Sequence, residues 1–167
     1  MSKRIRAARI AAPIAMAAAL CACETPKPVG PDQLAVTYLE AGRYADAQRE
    51  SEKLVRIQPR NVEFRLLAAR ANEGAGDTRR ALSHLEMAEE IAPSNPEPTI
   101  LIGELEQRLQ QTDDAYVAFR RATTLAPNDL RAWRGLALTA EALGFDAEAE
   151  KAYARWAQIE KAQGAAP

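Results

Sequence analysis

Apolar, small and turn-forming positions return along this chain at one fixed interval of 34 residues. Alanines stand at 47, 81, 115 and 149, Ile57, Ile91, Leu125 and Ile159 follow them by ten, and Pro59, Pro93 and Pro127 come two residues later. Gly42, Gly76 and Gly144 precede the alanines by five, and Gln110 breaks that column. A glycine turns a helix end through the left-handed conformation without steric cost, and a proline just past the last apolar contact cannot continue a helix. The pattern therefore predicts four first helices, Asp32 to Ala41, Val62 to Ala75, Glu97 to Leu109 and Asp129 to Leu143. Four second helices follow them, Tyr44 to Ile57, Thr78 to Ala92, Asp113 to Ala126 and Asp146 to about Ala162. Start signals support the boundaries: Asn61, Asp77, and Ser94 with Glu97 at capping-box spacing around Pro96. The fold class is all-α, with no room for a sheet.

A period of this length marks a helical repeat array, in which one helix-turn-helix unit cannot bury its apolar face alone and must stack on its neighbours. The clearest copies are Trp133…Leu136-Ala137…Gly144…Ala149…Tyr153 and Ile102-Gly103…Ala115…Phe119…Ala122…Pro127. This pattern resembles the tetratricopeptide repeat, over four units at about 28–61, 62–95, 96–129 and 130–163. Departures fall at the ends: Ser51 stands where Leu85, Phe119 and Tyr153 stand later, and Leu54 and Trp156 replace the small Ala88 and Ala122. The resemblance implies a right-handed solenoid whose first helices line a concave groove for a protein or peptide. It places Val36, Leu66, Arg70, Ile100, Glu104, Arg108, Arg131, Arg134 and Leu138 there, with Asp32 beside Val36. In this reading Val36, Leu66, Ile100 and Leu138 seat an apolar stripe of the partner, and Arg70, Arg108, Arg131 and Arg134 anchor its acids. The Lys/Asn clamp of chaperone-binding relatives is missing, since Asp32 and Val36 occupy its places in the first unit.

Composition narrows the chemistry. Net charge is −1 overall, and about −5 once the basic Lys3, Arg4, Arg6 and Arg9 of the leader are set aside, which argues against a nucleic-acid partner. His84 is the only histidine, so no zinc or catalytic constellation can be assembled around it; it reads as an outer-face or packing residue. Glu89-Glu90 and Asp113-Asp114 are adjacent acids that point different ways on a helix. Neither a phosphate-binding glycine loop nor a nucleophile elbow is present. The expectation is a non-enzymatic protein with no cofactor and no metal.

Residues 1–22 read as an export signal, with four basic residues followed by an apolar stretch from Ile10 to Leu20 that is too short to span a membrane. Leu20-Cys21-Ala22-Cys23 resembles a bacterial lipoprotein cleavage site with Cys23 as the lipidated residue. Lipoprotein modification supplies the several acyl chains that stable anchoring requires. Residues 23–31, with Pro26, Pro28 and Pro31, then form a semi-rigid tether ahead of an array spanning 32–163 and a tail at 164–167. An Arg-rich mitochondrial presequence is the rival reading, opposed by the segregation of its basic residues at the front and by Pro13.

Together these features point to a lipid-anchored scaffold in a bacterial envelope, facing the periplasm, on the outer membrane ahead of the inner. The plan resembles lipoproteins that assemble Tad/Flp-type or type IV pili and secretion machines. Outer-membrane protein assembly and coordination of cell-wall synthesis are the alternatives. Tyr153, Trp156 and Ile159 are spaced three apart on the last helix, and no later helix is expected to cover them. They form a candidate docking edge for a second copy or another protein, against the simpler reading that Trp156 folds back into its own unit.

Overall fold

A computed structural model describes residues 30–164. The signal segment, Cys23 and most of the tether lie outside the described residues. Eight helices follow one another: α1 (Pro31–Glu40), α2 (Tyr44–Ile57), α3 (Val62–Gly74), α4 (Thr78–Ile91), α5 (Pro96–Arg108), α6 (Thr112–Leu125), α7 (Leu130–Ala142) and α8 (Asp146–Gly164). No strand occurs among the described residues, and none of their helices is long and apolar enough to cross a membrane. Pro31, read as the end of the tether, opens α1 instead.

Each unit is an αα-hairpin closed in the same way. The residue just past the first helix has positive φ in all four units: Gly42 (68°), Gly76 (83°), Gln110 (61°) and Gly144 (77°). The next backbone N–H in each case reaches back to a carbonyl of the last helical turn, Arg43 to Tyr38, Asp77 to Asn72, Gln111 to Glu106 and Phe145 to Ala140, at 2.8–2.9 Å. This is the Schellman closure, which satisfies carbonyls that the helix end would otherwise strand. Gln110 thus takes the same turn as the glycines and carries the left-handed strain they avoid. Gln110→Gly should stabilise the array by about 1 kcal/mol in urea unfolding with an unchanged m-value. Gln110→Ala should give no such gain.

The second helices end on Gln58, Ala92 and Ala126, each followed by its proline, and the next first helix is capped by Asn61, Asn95 or Asp129. The Asn61 side chain accepts from the Phe64 N–H, Asn95 from Glu97, and Asp129 from Arg131 and Ala132. Asp77 caps α4 in the same manner through the Arg80 N–H. The capping box expected at Ser94 does not form: Asn95, one residue on, is the cap and Pro96 is the first helical residue.

The alanine column, Ala47, Ala81, Ala115 and Ala149, is buried throughout. Leu66, Leu85, Ile102 and Leu105 join α3, α4 and α5 into one cluster, Phe119, Leu136, Ala137 and Ala152 join α6, α7 and α8 into another, and Ile100, Ala122 and Ala132 link α5, α6 and α7. Phe119 lies against two helical glycines: a Cβ on Gly135 would come 2.4 Å from its ring, and one on Gly103 would come 3.0 Å. The Ile57 column is not uniform. Ile57 is 70% exposed, whereas Ile159 is buried, so the last apolar contact of a second helix is made at the far end of the array and not at the near end. Consecutive helices all pack together, most sparsely at α4 against α5, and α1 also touches α3 and α5 touches α7.

Candidate protein-binding groove

The first helices α1, α3, α5 and α7 carry the groove residues, but packing between units divides them into two groups. Ile100 is fully buried against Ala122 and against Ala132 of the next first helix. Leu66 is buried in the cluster shared with α4 and α5. Ile100 cannot seat a partner, because the next first helix already covers it, which corrects the expected apolar stripe at that position; Leu66, though buried, borders a pocket with Asp32, Val36, Phe64 and Arg70. Val36 is exposed and Leu138 is half-buried, so these two remain available.

Three of the four groove arginines are already engaged. Glu97 accepts Arg70 at 3.1 Å and binds Arg131 through both oxygens, at 2.6 and 3.3 Å, so one carboxylate on α5 ties α3 to α7. The Arg131 bond holds the Glu97 carboxyl below its ordinary range. Arg108 pairs with Glu73. Arg134, though exposed, has no ion-pair or hydrogen-bond partner among the described residues, unlike the other three. Glu104 is half-buried, and burial raises its carboxyl while Arg131 and Arg108 pull it back.

Around Arg134 the surface sinks into an open pocket of about 450 Å³, within the ordinary size range of ligand sites. Phe119, Leu138 and Trp156 supply apolar lining, and Glu104, Arg131, Arg134 and Glu160 the charges. Trp156 is half-buried and tilts against Tyr153, with ring centroids 6.2 Å apart. Ile159 is buried, which corrects the continuous docking edge: of the three residues only Tyr153 and Trp156 reach the surface, and Trp156 lines the groove pocket.

His84 is buried, so it takes the packing role and not the outer-face one. Its Nε2 lies 3.0 Å from Glu52 and its Nδ1 lies 3.3 Å from Arg65, while fully buried Asn72 accepts Gln48 at 2.7 Å and donates to the Ala68 carbonyl at 2.7 Å. This polar network ties α2, α3 and α4. Sequence reasoning missed Gln48, Glu52 and Asn72, whose counterparts in the other units, such as Glu86 and Arg120 for Glu52 or Glu106 for Asn72, give no consistent apolar signal. Among the described residues no group of three His, Cys, Asp or Glu side chains is arranged to hold a metal.

Glu106, on the other side of α5, has one carboxylate oxygen shut off from solvent without a hydrogen-bond partner. Burial, with Asp114, Glu86 and Glu89 nearby, pushes its pKa up to about 7 from an ordinary 4.5. Between those values the folded chain holds a proton that the unfolded chain has lost, so its contribution to stability falls as pH rises from about 4.5 to 7. Glu106→Gln should remove that slope, which melting temperatures of both proteins across this window would read. Parallel curves would contradict it.

Comparison with known proteins bears on the fold at this point. The tetratricopeptide repeat family matches over residues 38–105. A crystal structure of MamA superposes with a TM-score of 0.74 at 20% identity, over 83% of this chain and 82% of that one. MamA 41-end from Desulfovibrio magneticus RS-1 gives 0.71 at 17%, over 80% and 75%. The first TPR of Spaghetti (RPAP3), bound to the HSP90 peptide SRMEEVD, gives 0.64 at 22%, over 68% and 90%. No curated protein matches. The fold is thus an all-helical tetratricopeptide solenoid of four hairpins.

Proposed function

We propose that this chain is a non-enzymatic scaffold that holds a protein or peptide partner on the concave face of its repeats. The observation that carries this is the pocket beside Arg134, where apolar lining and an uncompensated cation meet on the surface of the first helices. Aromatic and arginine side chains at partly desolvated sites are the usual anchors of protein interfaces, which is the role Trp156 and Arg134 are suited to. The Spaghetti (RPAP3) structure has a peptide bound to the same kind of fold, which supports the reading by analogy.

The scaffold reading extends to an envelope lipoprotein anchored through Cys23 and aiding assembly of a pilus or secretion machine. Its support is the leader itself: basic front, short apolar stretch and Leu20-Cys21-Ala22-Cys23. Photo-crosslinkers at Val36 and Leu138 in living cells should capture a protein, while one at Val117, exposed on the second helix α6, should not. Capture from Val117 alone would move the binding surface off the groove. Mass spectrometry of the mature N-terminus tests the anchor, and an unmodified Cys23 ends that part of the reading.

A further inference from the structure

We infer that the pocket between α5, α7 and α8 takes an acidic segment of the partner, which sets a carboxylate on Arg134 and an aromatic or branched aliphatic side chain on Trp156 and Leu138. This rests on the concave face being the partner-binding surface. Two independent observations carry it.

The first is register. Arg134 stands in the column of Asp32, Leu66 and Ile100, and Trp156 in the column of Leu54, Ala88 and Ala122. Five of these six counterparts are buried, and Asp32, in the first unit, is exposed. In the third unit Ile100 and Ala122 close together over Ala132 of the next first helix. In the fourth unit the same two columns hold a cation and a large amphipathic ring, and instead of closing they line an open pocket. The two changes alter the chemistry of one place from helix packing to charged and aromatic contact.

The second is charge. Glu97 is saturated by Arg70 and Arg131, and Glu73 takes Arg108. The acids that line the pocket do not cancel Arg134 by contact: Glu104 faces the fields of Arg131 and Arg108, and exposed Glu160 makes no ion pair among the described residues. A carboxylate brought by the partner completes the one groove arginine without an anion, and a charge-assisted bond of that kind, formed beside apolar surface, is stronger than one in open water. A lysine-rich segment would instead bring its charge against Arg134 and Arg131.

The probe is an end-blocked hexapeptide alternating Glu with Phe or Leu, beside a counterpart in which every Glu is Lys. The full chain carrying Trp133→Phe reports through Trp156 alone, since these are its two tryptophans. The acidic peptide should shift Trp156 emission saturably. Arg134→Gln should weaken that binding tenfold or more without lowering the melting temperature, whereas Arg49→Gln on α2 should leave it unchanged. Equal binding of the lysine peptide, or binding indifferent to Arg134→Gln, overturns the inference. So does an emission shift that grows with protein concentration in the absence of peptide, which assigns the pocket to a second copy. If the acidic peptide fails while Val36 and Leu138 still crosslink a partner, this inference falls and the concave-face reading stands. Loss of both crosslinks sinks that reading too.

Discussion

Phe119→Ala should lower the free energy of unfolding by about 3–5 kcal/mol, out of the roughly 5–15 kcal/mol a domain of this kind has in all. The ring is 1% exposed and central to the cluster of Ala115, Leu136, Ala137 and Ala152. Gly103 and Gly135, which lie against the ring, have no side chains to move into the space it would leave. The cost of such a truncation rises with the cavity that remains, and here the site cannot collapse. Urea unfolding reads the loss directly, and Phe145→Ala serves as comparison because that ring is 46% exposed and stacks only on Tyr116. A loss below about 1 kcal/mol at Phe119 would mean that the ring does not fill the joint between the third and fourth units.

Ala115→Leu tests the same joint from the opposite side and should cost about 1–3 kcal/mol by overpacking. Ala115 is fully buried and shares its cluster with Phe119 and Leu136, so three added heavy atoms must displace either the ring or the backbone of α7. Ala154→Leu, exposed on α8, adds the same atoms to open surface and should be nearly neutral. Stability in an array is a sum of unit and nearest-neighbour terms, so the damage should concentrate in the last two units. Hydrogen exchange should accelerate in α5 to α8 more than in α1 and α2. Equal melting temperatures for the two variants would contradict the register of the repeats.

The parts of this fold that were legible in the sequence are those governed by local backbone demands and by small size. Gly42, Gly76 and Gly144 report a positive φ, Pro59, Pro93 and Pro127 report the end of a helix, and Ala81 and Ala115 report a close approach. Where two residues serve equally, the boundary slipped by one, as with Ser94 and Asn95. Gln110 could be read as an exception, but not as a residue that adopts the same turn under strain. The groove was legible only as a set of helix faces. Spacing by four puts Ile100 and Glu104 on one side of α5, yet whether that side meets solvent is decided by Ala132, 32 residues away on α7. The pairing of Arg70 and Arg131 on a single Glu97 depends on the same long-range stacking.

That shared Glu97 has a mechanical consequence. The core of the array is held by close-packed alanines and Phe119, which tolerate little displacement. Its inner edge is fastened across α3, α5 and α7 by exposed ion pairs, each contributing ~0.2–1 kcal/mol, near thermal energy. Salt loosens those fastenings, since the screening length falls to about 3 Å at 1 M. Rising salt should therefore weaken the ties of Glu97 first, while Ile100 on Ala132 and the stacked interior keep their packing.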